Sequence, residues 1–428
     1  MNHKLVKLAA SSLLIAGLMA PALSVHAASE HTAHVKVRVV GPNGFSKTEY
    51  VSVGEESYQN TAGETIRMDK PNALGALVDI AAKDGFAYKA TTSQFGVFVD
   101  KIGDIAGKSI NDNTSWLFWI NGEAAQVGAD QAELHDGDEV VWGFSDYTQT
   151  LYPKVQISNQ QPRVGDTVQV KVTAQKTTYD ANWNATVTTV PVEGASVNGE
   201  EVNYLTDKDG VANVKVTAPG LLTLKVDKVD PATGLPLLIR TGDLNLLAGD
   251  DNAKFSDLDG YDWAKGNIMQ FAHAGMVVGD GAGHFEPGRA VTRGELAKMI
   301  APIAGGLEFG GEKQFSDVAS DDPCNKFIQS VERLGIMTGD AEGTFRAGDP
   351  VTREELAIII DRLTKKAPLA DSTLAFDDAA QVSDFAKPYV AAAVKSGHMK
   401  GNGDDTFRPK AYANRAEVAV VLGALGND

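Results

Sequence analysis

The sequence predicts a multidomain chain in three parts: an α+β N-terminal domain, an all-β sandwich, and an all-α C-terminal region built from three repeats. Three observations predict this. A group of motifs recurs with a period of about 60 residues from residue 253 onward. Residues 34–147 mix period-two strands with one stretch of helical spacing, and residues 151–247 hold short strands at sandwich-like spacing. A chain of 428 residues with 43% hydrophobic content has room for several domains of ordinary size.

Residues 1–27 read as a secretory signal peptide. Lys4 and Lys7 supply a basic start, Leu8 to Met19 an apolar run, and Val25 and Ala27 small residues before a cut at Ala28. The apolar run is too short to span a bilayer, which takes about 20 residues. Removing Lys4 and Lys7 takes the formal charge from −17 to −19. So acidic a chain has no general positive field for nucleic acid or an anionic membrane. Cys324 is the only cysteine, so no intramolecular disulfide can form, and its expected role is that of a small, passively buried side chain.

In the region 34–147, Val35 to Val40 alternates as a half-buried strand, and Ala73 to Lys83 places Leu74, Leu77, Val78 and Ala81 on one helical face. Trp116-Leu117-Phe118-Trp119-Ile120 runs into Asn121-Gly122, a type I′ hairpin signal, and Val140-Val141-Trp142 forms a final strand. The series Trp-x-x-x-Ile-Asn-Gly-Glu, Val-Gly-Ala and Gly-Asp-x-Val-x-Trp resembles the bacterial family related to the C-terminal domain of transcobalamin and intrinsic factor. The resemblance implies a β-grasp-like fold. Strand alternation puts Trp116 and Phe118 on one face and Trp119 on the other. Together with Trp142 they form either core or an aromatic platform for a small planar, corrinoid-like ligand.

Residues 151–247 follow as a sandwich. Thr206-Asp207-Lys208-Asp209-Gly210-Val211 resembles a turn of bacterial Ig-like wall spacers, which implies an Ig-like spacer domain; residues 248–254 read as a linker.

The repeats occupy 253–310, 313–367 and 374–428. They open with Phe255-Ser256-Asp257, Phe315-Ser316-Asp317 and Phe376-Asp377-Asp378. Each continues through an apolar helix into a Gly-rich turn that ends in Phe285, Phe345 or Phe407. Each closes with a second helix led by Thr292-Arg293-Gly294-Glu295, Thr352-Arg353-Glu354-Glu355 or Asn414-Arg415-Ala416-Glu417. These motifs, in the same order three times, resemble the S-layer homology family. The resemblance implies a three-pronged pseudo-trimer that holds pyruvylated secondary cell-wall polysaccharide between prongs. Asn414 in place of Thr, and Pro323 where the other units have Trp263 and Phe385, depart from the pattern.

The chemistry expected there follows from the residue types. Thr292 with Glu295 and Thr352 with Glu355 are capping boxes, with Asn414 and Glu417 as a variant, so each marks a helix N-terminus that favours an anion. Arg293, Arg353 and Arg415 stand one residue inside each cap and suit a carboxylate such as a pyruvyl ketal. Gly279, Gly281, Gly339, Gly401 and Gly403 would let a sugar ring approach the backbone. Asp257, Asp317 and Asp378 complete the candidate glycan-binding set. Trp263, like Phe385, is expected to pack in the core, with stacking on sugar as its second reading. Residues 253–428 hold 19 Lys and Arg against 26 Asp and Glu, so an acidic polymer needs a local pocket and not a long-range field.

The sequence contains no Gly-x-Ser-x-Gly, His-Glu-x-x-His or phosphate-loop motif, and its histidines and acidic pairs form no metal or catalytic constellation. The expectation is a non-enzymatic, cofactor-free bacterial protein, secreted and wall-attached. Its N-terminal domain would be a structural module meeting envelope partners or, alternatively, a small-ligand trap.

Overall fold

The computed structural model describes residues 32–425, apart from 61–62, 64, 180–184, 200–202, 366–367 and 370–372. The expected signal peptide lies outside the described residues. The N-terminal region opens with an antiparallel hairpin, β1 (Ala33–Val40) and β2 (Ser46–Val53), and a smaller one, β3 (Glu56–Gln59) and β4 (Thr65–Met68). After α1 (Ala73–Asp84) come β5 (Tyr88–Ser93), β6 (Gly96–Ile102), β7 (Ile105–Ala106), β8 (Thr114–Ile120), β9 (Glu123–Ala124) and β10 (Glu139–Asp146). The main sheet has the order β2-β1-β10-β8-β9, with β1 and β10 parallel at its centre. Asn72 caps α1 by accepting from Gly75 N at 2.9 Å, and Gly85, at φ 69°, ends it. Leu74, Leu77 and Ile80 bury the inner face of α1 against the sheet. Asn121 and Gly122, at φ 51° and 84°, make the turn between β8 and β9 that their sequence predicts. Among the described residues one helix accompanies ten strands, so the expected α+β domain is instead a β-rich region.

The next region holds β11 (Pro153–Ile157), β12 (Thr167–Tyr179), β13 (Ala185–Pro191), β14 (Ser196–Asn198), β15 (Asn203–Leu205), β16 (Val211–Lys215), β17 (Gly220–Val229), β18 (Pro236–Leu238) and β19 (Leu244–Ala248). Strands β11, β12, β13 and β16 make one sheet, the remaining five the other, and Val168, Val170, Val172, Leu224 and Val226 fill the space between. The sandwich docks on the outer face of the N-terminal sheet. There Val40, Trp119, Val141 and Ile239 form a small apolar cluster, and Trp119 meets Tyr152 at 5.2 Å between ring centres. Beside it Arg38 is buried; its Nε donates to Glu139 at 3.0 Å and its Nη1 to Arg240 O at 2.5 Å. Burial would raise the Glu139 carboxyl, but Arg38 and Lys36 hold it below the usual range.

In the repeat region, α2 (Asp262–His273), α3 (Arg293–Gly305), α4 (Asn325–Arg333), α5 (Arg353–Thr364), α6 (Lys387–Lys395) and α7 (Arg415–Leu425) are joined by long turns and bridges. The expectation of an all-α region is overturned. Among the described residues, six α-helices of 9 to 13 residues leave much of this stretch in turns and extended backbone, and strand exceeds helix over the chain. The reason is local. Each Gly-rich turn closes on its own repeat, as where Asp280 N donates to His284 O, and the segment after it bonds its backbone to another repeat; a helix would consume those groups internally.

Those bonds close a ring. Val351 N donates to Val291 O at 3.0 Å, Ala413 N to Val351 O at 2.9 Å, and Val291 N to Ala413 O at 3.0 Å. Around this ring the second helix of one repeat packs on the first helix of the next: α3 on α4, α5 on α6, and α7 back on α2. One continuous core results, with Phe285, Phe345 and Phe407 fully buried in it.

Gly143 offers a test of the docked domains. A Cβ there would sit 2.6 Å from Ile239 Cδ1 and 2.8 Å from Trp119 Cζ3. Gly143→Val is expected to destabilise the chain by about 1–3 kcal/mol through overpacking. A urea titration followed by tryptophan fluorescence checks this.

Candidate functional site

The cap motifs recur for a structural reason that only the ring makes visible. Arg293 N donates to Asp349 O at 2.9 Å, Arg353 N to Ala411 O at 2.9 Å, and Arg415 N to Arg289 O at 3.0 Å. The next amides, of Gly294, Glu354 and Ala416, donate to Ala347, Pro409 and Pro287. The third amide in each helix is taken by the cap side chain, as when Glu417 N donates to Asn414 Oδ1 at 2.9 Å. The helix N-termini were expected to offer open N–H groups to an anion. They are already occupied by neighbouring backbone and by their own caps.

The three arginines behave alike. Arg293 Nε donates to Phe345 O, Arg353 Nε to Phe407 O and Arg415 Nε to Phe285 O, each at 2.8 Å. One Nη of each reaches a second carbonyl, of Thr338, Lys400 or Val278. Each guanidinium also lies 4.5–5.0 Å from the ring centre of the same phenylalanine. All three are at least 91% buried. The edge that would grip a carboxylate is spent on clasping the next repeat. The carboxylates of Asp257, Asp317 and Asp378 are spent as well, since each accepts two backbone amides, at 2.6–2.8 Å. In this way they hold Glu286, Arg346 and Arg408 in left-handed conformation, at φ 56–58°.

Three of the five glycines do not open space for a sugar. A Cβ on Gly339 would lie 2.3 Å from the Phe315 ring, and one on Gly401 2.4 Å from the Phe376 ring; at Gly279 the clash is with His284 O and Phe255. These three exist because the opening phenylalanine of each repeat packs on them. Gly281 is needed for its φ of 82°, while Gly403 faces open space.

Trp263 and Phe385, expected in the core, are 57% and 66% exposed. Each precedes a buried alanine, Ala264 or Ala386, so the helix start turns the aromatic outward. In the N-terminal region the reverse holds. Trp116, Trp119 and Trp142 are buried, and Phe118 is half-buried against Trp142 at 4.8 Å. No platform is left on either face, because the core takes Trp116 and Trp142 and the sandwich covers Trp119.

A groove of about 550 Å³ does run between the repeats. Its walls are the first Gly-rich turn, α3, the start of α4 and, from the sandwich, Pro219 to Leu221 and Leu247; Arg289, Lys298, Lys326 and Arg415 line it beside Asp280, Glu286 and Glu295. Arg289 grips Glu295 with two bonds, at 3.0 and 2.6 Å. Burial would raise the Glu295 carboxyl, yet the Arg289 hydrogen bonds and the Thr292 amide hold it low. Lys298 is exposed at the groove and, among the described residues, has no carboxylate within 4 Å. Arg289 and Lys298 lie outside the motifs that recur. Aligning the repeats exposes them: Lys298 corresponds to Ile358 and Val420, and Arg289 to Asp349 and Ala411.

Residues 254–297, 314–357 and 375–419 match the S-layer homology domain. Residues 75–146 match a domain of unknown function (DUF4430); the transcobalamin likeness has no support of its own. Among curated relatives, an amylopullulanase of Thermoanaerobacterium thermosulfurigenes is 32% identical over 46% of this chain and 11% of its own length. The surface-layer 125 kDa protein of Lysinibacillus sphaericus is 32% identical over 39% of this chain and 14% of its own. A cellulosome-anchoring protein of Acetivibrio thermocellus is 29% identical over 35% of each. The chain thus spans about a third or less of the lengths of these relatives. It carries three S-layer homology repeats, and the matches support a cell-surface protein associated with the cell wall. No helix among the described residues is long and apolar enough to cross a membrane.

Two outcomes follow. Arg353→Ala leaves two carbonyls and Glu417 (2.9 Å from Arg353 Nη1) without their partner, and is expected to cost about 3–5 kcal/mol in a denaturant titration. In the first turn, the His284 hydrogen bond and two backbone amides lower the Asp280 carboxyl to about 2, and Asp280 raises the imidazole of His284. The carboxylate favours the folded turn above its unfolded pKa of about 4, and the imidazolium does so below about 6.5, so the pair is complete between them. NMR titration should find His284 above 6.5, returning toward it in Asp280→Asn.

Proposed function

We propose that this chain is a non-catalytic surface protein held non-covalently on pyruvylated secondary cell-wall polysaccharide, with the groove beside α3 as the anion-binding site. The observation that carries this reading is Lys298, a cation without a carboxylate partner among the described residues, aimed into a groove that Arg289 and Arg415 also line. The repeat region has a net negative charge, so an acidic polymer gains only where cations converge in a partly desolvated pocket. The corresponding surfaces beside α5 and α7 carry Ile358 and Val420 at that position. They lack this convergence. The N-terminal region serves as a structural or interaction module. Its packed tryptophans support that role over capture of a planar ligand.

Lys298→Glu alters an exposed residue outside the ring, so folding should be retained. It is expected to weaken co-sedimentation of the full chain with wall sacculi by roughly 10- to 100-fold, the loss of one charge-assisted contact of about 1.5–3 kcal/mol. Unchanged binding, or wild-type binding that survives chemical removal of the polysaccharide from the sacculi, would overturn the proposal.

A further inference from the structure

The groove beside α3 does not end at the repeats. A second cavity, of about 430 Å³, adjoins it, and both share Phe309, Pro323 and Lys326 as a common wall. Three regions of the chain build this second chamber. Thr48 and Tyr50 come from β2, Asp243 and Asn245 from the sandwich, and Gln314 and Gln329 from the second repeat.

Phe309 forms a saddle between the chambers. It packs edge-on against Phe327 at 4.6 Å, and Lys326 Nζ lies 5.7 Å from its ring centre. The segment around it is pinned from several sides. Asn245 Nδ2 donates to Leu307 O at 2.9 Å, Lys83 Nζ to Glu312 O at 2.8 Å, and Ser52 Oγ to Glu312 at 2.6 Å. Arg333 donates to Gly310 O at 3.0 Å and stacks 5.2 Å from the Tyr50 ring centre. The chamber walls are therefore fixed relative to one another by direct bonds between domains.

The two chambers differ in charge. In the first, Lys298 is an unpaired cation among the described residues. In the second, Lys36 is matched by Glu139 at 3.2 Å and Glu308 at 3.5 Å, and Lys225 by Asp243 at 3.3 Å. Apart from Lys326 on the shared wall and the small residues Gly310, Gly311 and Pro323, the rest of its lining is hydroxyl, amide and carboxylate, with aromatic edges from Tyr50 and Phe309. Such a surface suits uncharged sugars, whose hydroxyl and acetamido groups both donate and accept hydrogen bonds.

We propose that the polymer site is composite: an acidic sugar unit sits in the groove beside α3, and the neutral units next to it cross Phe309 into the chamber that the N-terminal domain completes. The proposal rests on the polysaccharide reading above. It makes the N-terminal region part of the anchor as well as its cargo. Joining the two chambers on one rigid frame lets successive units of one polymer bind as linked ligands.

Calorimetry on the full chain tests this, using size-fractionated fragments of purified wall polysaccharide, one set of single repeating units and one of several. Wild type should bind the longer fragments at least about tenfold more tightly. Thr48→Trp and Ser320→Trp fill the second chamber from exposed positions on two different domains. Each should bring the ratio down to about two and leave short-fragment binding and the melting temperature unchanged. Lys298→Glu should weaken both fragment classes. If wild type binds short and long fragments equally, or both Trp variants keep the full ratio, the composite site is wrong while the polysaccharide reading stands. If wild type binds neither class, the polysaccharide reading itself fails, and this inference with it.

Discussion

Everything in the C-terminal half depends on one exchange of hydrogen bonds. The peptide groups of Val291, Val351 and Ala413 link the three repeats head to tail, and three buried arginines clasp the neighbouring turn just outside that ring. A repeat alone would expose its cap amides, its arginine and half of a helix pair. The three-repeat ring satisfies all of them at once. It is therefore the smallest unit that can bury this core, and its stability is cooperative across repeats and not additive within them.

That arrangement separates stability from recognition. Residues that occur in all three repeats, such as the opening aspartates, the first glycine of each turn and the cap arginines, are consumed in closing the ring. Chemistry left free for a ligand falls on positions where the repeats differ. Lys298, with no carboxylate within 4 Å among the described residues, lines one inter-repeat groove, where Arg289 is paired with Glu286 and Glu295. Trp263 and Phe385 put exposed aromatics at the other two helix starts, where Pro323 stands in the first groove. A pseudo-symmetric frame thus carries unequal surfaces, as expected when binding side chains are grafted on a shared scaffold.

The three regions are also not beads on a string. Arg38, buried between the first sheet and the sandwich, reaches a sandwich carbonyl, and the stretch Leu307 to Glu312 is held by both. A linker that looks like a spacer between repeats in sequence is structurally the meeting point of all three domains.

The sequence alone determined the repeat count, because periodicity and cap chemistry are local. Thr292 with Glu295 must start a helix, and Asn121-Gly122 must make its turn, wherever the rest of the chain goes. Only the tertiary structure decided what each recurring residue does. Arg293 in sequence is a guanidinium beside a helix N-terminus, equally suited to a sugar carboxylate or a backbone carbonyl. Its partner, Phe345 O, lies 52 positions away and comes within 2.8 Å only when the ring closes. The same holds for Trp119, whose period-two pattern shows that it leaves one face of β8 but not that a second domain covers the other. Side-chain type sets what a residue can bond, and long-range packing sets which of those bonds it makes.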